Sequence, residues 1–175
     1  MVSIETVARS AGISKRTFYS RFADKAALFR AVVHNVLEHL RPPQVEALFV
    51  PGPLDRVLPR LARVILAAAL DPWALALYRL TLTEAGRFPD VAAAVESEGG
   101  GEEAVRRIAA LLAARSGGGA DDSERARFAA TQFLYMIVAV PQRRALGLGT
   151  PMTAAELDDW AEDTARLFLA GWTHR

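Results

Sequence analysis

The sequence predicts an all-α fold, and three observations support this prediction. Alanine, leucine, arginine and glutamate dominate the chain, and its apolar residues recur at spacings of three and four, the periodicity of an amphipathic helix. No segment shows the sustained alternation of apolar and polar residues that predicts a strand. Hydrophobic residues make up 51% of the 175 positions, so the chain can bury a substantial core.

Three short helices are predicted at the N-terminus. Ser3 is a predicted N-cap for a helix that ends at about residue 10, and Gly12 then suits a tight turn. Ser14 is the predicted N-cap of a second helix that ends at about Phe22. Asp24 opens the third, from Lys25 to Leu40, whose predicted inward-facing residues are Leu28, Phe29, Val32, Val36 and Leu40.

The segment RPPQVEALFVPGPL interrupts the helical pattern with four prolines and a glycine. We therefore predict two domains, a head over residues 1–41 and a body over residues 42–175.

The first half of the body carries clear start and stop signals. A helix is predicted from about Asp55 to Leu70. Asp71-Pro72, a cap followed by proline, starts another helix that runs to about Arg87. A short helix over residues 89–98 follows.

The second half of the body is predicted to hold three helices. The first spans about 102–116, between glycine triplets that are predicted to be flexible surface connections (99–101 and 117–119). The second begins at Asp121–Glu124 and is expected to stop at Pro141. The capping box Thr153–Glu156 opens the last helix, which ends at about Trp172.

Charge is unevenly distributed between the two predicted domains. Residues 1–41 hold seven Lys or Arg against three Asp or Glu, whereas residues 42–175 hold fourteen against seventeen. A basic head on a mildly acidic body favours a polyanion as the partner of the head. On charge alone, an ordinary solvated surface explains the pattern equally well.

Several functional classes are disfavoured by composition. The chain has no cysteine, which excludes disulfides, thiolate metal sites and cysteine nucleophiles. His34 and His39 are five residues apart and make a poor metal pair, and there is no G-x-S-x-G motif. The start of the chain shows no signal-peptide pattern, and no nonpolar stretch, 64–70 included, is long enough to span a bilayer. We predict a cytoplasmic protein that is not an enzyme, holds no cofactor and has no membrane partner.

The order helix, glycine turn, helix in residues 3–22 is that of a helix-turn-helix. Phe18 and Phe22 are expected to face the first helix, which leaves the opposite face of the second helix for a major groove. Lys15 and Arg16 can donate to guanine, and Thr17 can contact thymine.

Three further residues of the head are candidate phosphate contacts. Tyr19 and Arg21 could reach the DNA backbone, and Lys25 lies at a helix start, where phosphate is favoured. A helical hairpin with a solvated basic face is the alternative.

The segment SIETVARSAGISKRTFYSRFADKAALFRAVV resembles the DNA-binding segment of the TetR family of transcriptional regulators. The resemblance rests on the A-x-x-A-G-[IV]-S turn, the T-[LF]-Y of the second helix and the F-x-x-K-x-x-L-F that enters the third. The body is similar to the subgroup with an AefR-like C-terminal domain, through LTLTEAGRFPDV and RFAATQFLYMIVAV. Together these imply a helix-turn-helix DNA-binding head on a helical-bundle domain for ligand binding and dimerisation.

The resemblance implies roles for single residues of the head. Ser3 matches the start of a helix that often touches phosphate, Tyr19 and Lys25 match phosphate contacts, and Lys15, Arg16 and Thr17 match the base-facing turn. Arg16 stands where the family commonly has a small residue, so it is either a specificity element or a phosphate contact. The family also has a helix before SIETVA, and we expect an N-terminally truncated head that lacks most of it.

The resemblance implies a pocket for a small-molecule effector among the middle helices of the body. Plain core packing is the alternative for each of its candidate residues, which are Trp73, Leu77, Tyr78, Phe128, Gln132, Tyr135 and Met136.

A homodimer interface is implied for the last two helices, and packing within the chain is again the alternative. Its candidate residues are Phe133, Ile137, Val140, Leu157, Trp160, Thr164, Leu167 and Phe168.

The sequence thus predicts a homodimeric, DNA-binding transcriptional regulator. We expect a repressor that a small apolar ligand releases from its double-stranded DNA operator. The alternative is a dimeric ligand-binding module that has lost DNA binding with its first helix.

Overall fold

A computed structural model describes residues 3–39, 52–114 and 120–172. Within these ranges the chain is helical and has no strand, which confirms the predicted all-α class. The helices are α1 (Ile4–Ser10), α2 (Lys15–Arg21), α3 (Lys25–His39), α4 (Leu54–Ala69), α5 (Pro72–Glu84), α6 (Pro89–Glu98), α7 (Gly100–Ala113), α8 (Ala120–Ala145) and α9 (Ala154–Trp172).

The helices of the head begin at the predicted capping residues. The Ser3 Oγ accepts a hydrogen bond from the Thr6 backbone N–H, at 3.1 Å. The Asp24 Oδ1 accepts one from the Ala27 backbone N–H, at 2.7 Å. Each cap satisfies an N–H that has no partner inside its helix, so these starts depend on local sequence.

Two starts in the body are also as predicted. The Asp71 Oδ1 accepts a hydrogen bond from the Trp73 N–H, at 2.8 Å, and Pro72 is the first residue of α5. In the capping box of α9, the Thr153 N–H donates to the Glu156 Oε2 at 2.7 Å, and the Glu156 N–H donates to the Thr153 Oγ1 at 3.3 Å.

Some predicted details differ from the structure. On α3, Val33 and Leu37 are buried, whereas Val32, which we expected to face inward, is 45% exposed. Two adjacent valines made the choice of face ambiguous. The first glycine triplet is not a loose connection, because Gly99 ends α6 and α7 begins at the next residue. The second triplet, Leu40 and the predicted boundary between head and body lie outside the described residues.

Pro141 does not end α8, which continues to Ala145. Proline has no N–H to donate to the carbonyl four residues earlier, which belongs to Ile137. The Trp160 Nε1–H of α9 donates to that carbonyl at 2.9 Å instead. Because both Ile137 and Pro141 are fully buried, an unpaired carbonyl there would be costly. A neighbouring helix therefore replaces the hydrogen bond that the proline removes.

Buried apolar residues form two separate clusters. The larger one, here called the body core, joins α4, α7, α8 and α9, and its fully buried side chains include Leu58, Ile108, Phe133 and Ile137. The smaller one, here called the junction core, joins α3 to α5 and α6 and consists of Val33, Val36, Leu37, Leu77 and Val91. The Phe29 and Phe88 rings pack beside the junction core, with centroids 4.9 Å apart.

None of the described helices is by itself both long and apolar enough to cross a membrane. Taken together, α4 and α5 pass that test of length and composition, but they meet at a bend of 67°.

Candidate nucleic-acid interface

A tight turn sets α2 against α1. Gly12 has a φ of +66°, a left-handed conformation that glycine adopts without the steric cost of a side chain. The Ile13 N–H donates to the Ala8 carbonyl at 2.9 Å and closes the turn. Ala8 and Phe18 are buried between the helices, so α2 keeps an apolar face inside and leaves its other face to solvent.

The three residues expected to face bases lie together in the first turn of α2, and all three are exposed. The Lys15 ammonium pairs with the Glu5 carboxylate of α1. The hydrogen bond from Lys15 is the main cause that lowers the pKa of Glu5 below its ordinary value. Arg16 makes no hydrogen bond or ion pair with any described residue, so its guanidinium is available to a ligand.

The hydroxyls of Thr17 and Ser3 already have partners at the helix starts. The Ser14 Oγ accepts a hydrogen bond from the Thr17 N–H at 3.1 Å and lies 2.9 Å from the Thr17 Oγ1. The Ser3 Oγ lies 2.9 Å from the Thr6 Oγ1 in the same arrangement. Both side chains therefore stabilise a helix start while they face solvent.

Three of the candidate phosphate contacts lie on α2 or at the start of α3. Tyr19 is 53% exposed, and its ring meets the buried Phe18 ring edge-on, with centroids 5.4 Å apart. This contact holds the tyrosine while its hydroxyl end stays in solvent. Arg21 is exposed at the end of α2, and Lys25 is half-buried at the start of α3.

The seven predicted pocket residues differ in burial. Leu77 is buried in the junction core and Met136 is half-buried, whereas the other five are exposed: Trp73, Tyr78, Phe128, Gln132 and Tyr135. On α8, the last three point away from the face that carries Phe133 and Ile137. A cleft of about 270 Å³ lies between α3 and α6, and none of the seven lines it. Its lining residues are Arg30, Val33, His34, Leu37, Asp90, Val91 and Ala94.

The predicted interface residues divide into three groups. Phe133, Ile137 and Thr164 are buried within the chain, in or beside the body core, and present little surface to a second copy. Leu157, Trp160 and Phe168 are half-buried against the same core. Val140 and Leu167 are exposed. The face of α8 expected to meet a partner is thus largely the face that packs on α4, α7 and α9.

Comparison with known families covers both parts of the chain. The sequence model described as the C-terminal domain of AefR-like transcriptional repressors matches residues 56–173. The chain belongs to the TetR family. The model described as bacterial regulatory proteins of the tetR family matches residues 1–32, which contain the helix-turn-helix.

Solved structures of other TetR-family proteins have the same fold. A protein from Mesorhizobium loti MAFF303099, described as a TetR-family transcriptional regulator, is 27% identical, with a TM-score of 0.71. The flavonoid-responsive regulator FrrA is 26% identical, with a TM-score of 0.65. Each comparison covers 97% of this chain and 86% of the other. No curated protein matches the chain.

The family and these neighbours are transcriptional regulators rather than enzymes. TetR-family regulators bind DNA operators and small-molecule effectors, and they form dimers.

Sequence reasoning missed one polar contact that joins the head to the body. The Arg30 Nε of α3 donates to the Asp90 Oδ2 of α6 at 2.6 Å. This hydrogen bond is the main cause that lowers the pKa of Asp90. The two residues are sixty positions apart, and no local pattern links them. The only available signal was Pro89-Asp90, which marks a helix start.

Proposed function

We propose that this TetR-family protein is a homodimeric repressor that a small apolar ligand releases from its operator, with a DNA-binding head over residues 1–41 and a ligand-binding, dimerising body over residues 42–175. The arrangement of α2 is the observation that carries this proposal. Phe18 is buried on one face of the helix. Arg16 is exposed on the opposite face and has no partner among the described residues.

Base reading is assigned to the first turn of α2. Arg16 can donate two hydrogen bonds to guanine O6 and N7, and the Thr17 methyl can meet thymine. Lys15 would have to leave Glu5 to reach DNA. Both side chains of that pair are more than half exposed, and an exposed ion pair stabilises little, so the exchange costs little.

Phosphate contacts are assigned to Ser3, Tyr19, Arg21 and Lys25. All four lie in or beside the helix-turn-helix, and three of them are exposed. Such contacts orient a protein on the duplex and contribute affinity, but they carry little sequence information.

Exposed apolar side chains on the last two helices support dimerisation. Phe128 and Tyr135, seven positions apart on α8, are 67% and 59% exposed, and Leu167 of α9 is 67% exposed. We assign the interface to Val140 and Leu167 of the predicted set, and we add Phe128 and Tyr135, which the sequence analysis predicts for the effector pocket. The buried members of the predicted set pack beneath this surface. A two-fold dimer would place its two heads on two half-sites.

Two comparisons support repression as the mode of regulation and a small apolar compound as the effector. The family model that matches the body is described as that of a repressor, and one structural neighbour is described as flavonoid-responsive. A ligand releases DNA only if it binds better to the state whose heads do not fit the operator.

Fluorescence anisotropy with the DNA upstream of this gene tests the proposal. The protein is expected to prefer one upstream duplex over a shuffled duplex, with an affinity that falls steeply as salt rises. Arg16→Ala should reduce the preference by about 1–3 kcal/mol, the value of one good bidentate base contact. Arg60→Ala, which removes an exposed arginine of α4, is the matched control and should bind like the wild type.

Two outcomes would contradict the proposal. One is equal affinity of the wild-type protein for every upstream and shuffled duplex. The other is an Arg60→Ala variant that loses as much preference as Arg16→Ala, because general charge rather than α2 would then explain binding.

A further inference from the structure

The cleft between α3 and α6 has an apolar floor and a charged rim. Its floor is formed by Val33, Leu37, Val91 and Ala94, and the first three belong to the junction core. Arg30, His34 and Asp90 line its rim. We propose that this cleft binds a small apolar carboxylate, whose acid group meets Arg30 and whose hydrocarbon part lies on the floor.

The size and lining of the cleft limit the ligand. Ligand pockets are mostly apolar with a few placed polar groups, and they range from roughly 300 to 1,000 Å³. At about 270 Å³, this cleft lies just below that range and suits a molecule with one aromatic ring or a short alkyl chain. None of the seven residues predicted from sequence to form a pocket lines it.

The hydrogen bonds at the rim favour an anion over a cation. Arg30 uses its Nε for Asp90, and its two terminal nitrogens have no partner among the described residues. The guanidinium therefore keeps donors in the planar arrangement that matches a carboxylate.

Asp90 has less capacity left for a ligand. Its carboxylate accepts the hydrogen bond from Arg30, and backbone N–H groups of Asp90 and Val91 also lower its pKa. A cation would compete with these donors for the Asp90 carboxylate, whereas a carboxylate would meet the unused donors of Arg30.

The cleft lies where a bound acid can influence the position of the head. α3 is part of the head and α6 is part of the body, so a molecule between them touches both. If the acid fits best when the two helices are further apart, its binding selects that arrangement of the head. This step rests on the proposed function, whereas binding in the cleft does not.

Calorimetry on the full chain tests the site with 3-phenylpropanoate and its uncharged analogue, 3-phenylpropanamide. The acid should bind at least about tenfold more tightly than the amide, because only the acid makes a charge-assisted pair. Arg30→Gln should weaken the acid at least about fivefold and change the amide less than about twofold, since neutral hydrogen bonds are weaker than charged ones. Arg60→Gln, outside the cleft, should change neither.

A second variant keeps the charge but fills the space. Ala94→Phe retains Arg30 and should abolish binding of both probes. Far-UV circular dichroism checks that the variants fold. The proposal is overturned if the acid does not bind below about 1 mM, equivalent to roughly 4 kcal/mol of binding free energy. It is also overturned if either variant binds the acid like the wild type.

A DNA-binding measurement on the same samples separates this inference from the proposed function. Acid binding that meets these criteria supports the site even if no operator is bound, and in that case the regulator proposal fails alone. If the operator is bound and the acid never binds in the cleft, the inference fails alone.

Discussion

The body core and the junction core differ in size and in what they connect. The body core contains fifteen buried residues from four helices, whereas the junction core contains five from three. The body core includes the fully buried Phe133 and is reinforced by the hydrogen bond from Trp160 to Ile137. The junction core is bordered on one side by the exposed Arg30–Asp90 ion pair and by the cleft between α3 and α6. We therefore expect the body core to be the more stable of the two and the junction core to be the weaker attachment of the head.

The largest expected loss of stability comes from a substitution in the body core. Phe133 is fully buried, and its ring centroid lies 4.8 Å from that of Phe168. Phe133→Ala should lower the free energy of unfolding by about 3–5 kcal/mol, because it removes a large side chain and leaves a cavity. Urea denaturation measures this change. The matched control is Leu82→Ala, at a 63% exposed position, which should stay within about 0.5 kcal/mol of the wild type. Equal losses would contradict the division into core and surface.

Substitutions in the junction core should lower the free energy of unfolding less than those in the body core, but they should destabilise the head more. Leu37→Ala is expected to lower the free energy of unfolding by about 2–3 kcal/mol, the lower part of the range for such substitutions. Hydrogen exchange should then increase more in α1–α3 than in α8, because Leu37 fastens the head to α5 and α6. A uniform increase along the chain would show that the two cores act as one.

The hydrogen bond at Pro141 allows a double-mutant test within the body core. Trp160→Phe should lower the free energy of unfolding by about 1–3 kcal/mol, because the buried Ile137 carbonyl loses its donor. Pro141→Ala supplies a new backbone N–H to that carbonyl, so it should help the Trp160→Phe variant more than the wild type. Thermal unfolding of the four proteins gives the coupling. Trp73→Phe, at an exposed tryptophan, is the control. Purely additive effects would contradict the replacement of one donor by the other.

The smallest effect is expected at the capping box of α9, on the surface of the body. Hydrogen bonds from Thr153 lower the folded-state pKa of Glu156 from its ordinary 4.5. The carboxylate therefore stabilises the fold above about pH 4.5, and this contribution is lost as the pH falls through the lower, folded-state value. Glu156→Ala should flatten the acid side of the stability curve. Urea denaturation at a series of pH values measures this, and an unchanged acid side in the Glu156→Ala variant would contradict the role of the capping box.

Much of the fold could be predicted because its signals are local. Ser3, Ser14 and Thr153 cap their helices through hydrogen bonds to residues three positions away, so a short stretch of sequence contains both partners. The alternation of buried Phe18 with exposed neighbours follows from helical spacing in the same way. The helix-turn-helix was therefore predictable with its exposed residues, although their contacts with DNA stay a prediction.

The buried face of α8 was not predictable from spacing, because this helix is apolar on more than one side. Phe128, Tyr135, Phe133 and Ile137 are all plausible core residues, and only packing against α4, α7 and α9 distinguishes the first two from the last two. Part of the predicted pocket set and part of the predicted interface set lie on this helix, and both sets mix surface with core.

The sequence by itself determined the helical class, the helix starts and the helix-turn-helix, because each depends on residues that lie within about twenty positions of each other along the chain. Only the tertiary structure decided that α8 continues through Pro141, since the replacement donor comes from Trp160 on another helix. It also decided that Arg30 and Asp90 meet across sixty positions, beside a cleft that no local pattern indicates. Contacts of this kind depend on how complete helices pack, and the packing is a property of the whole chain.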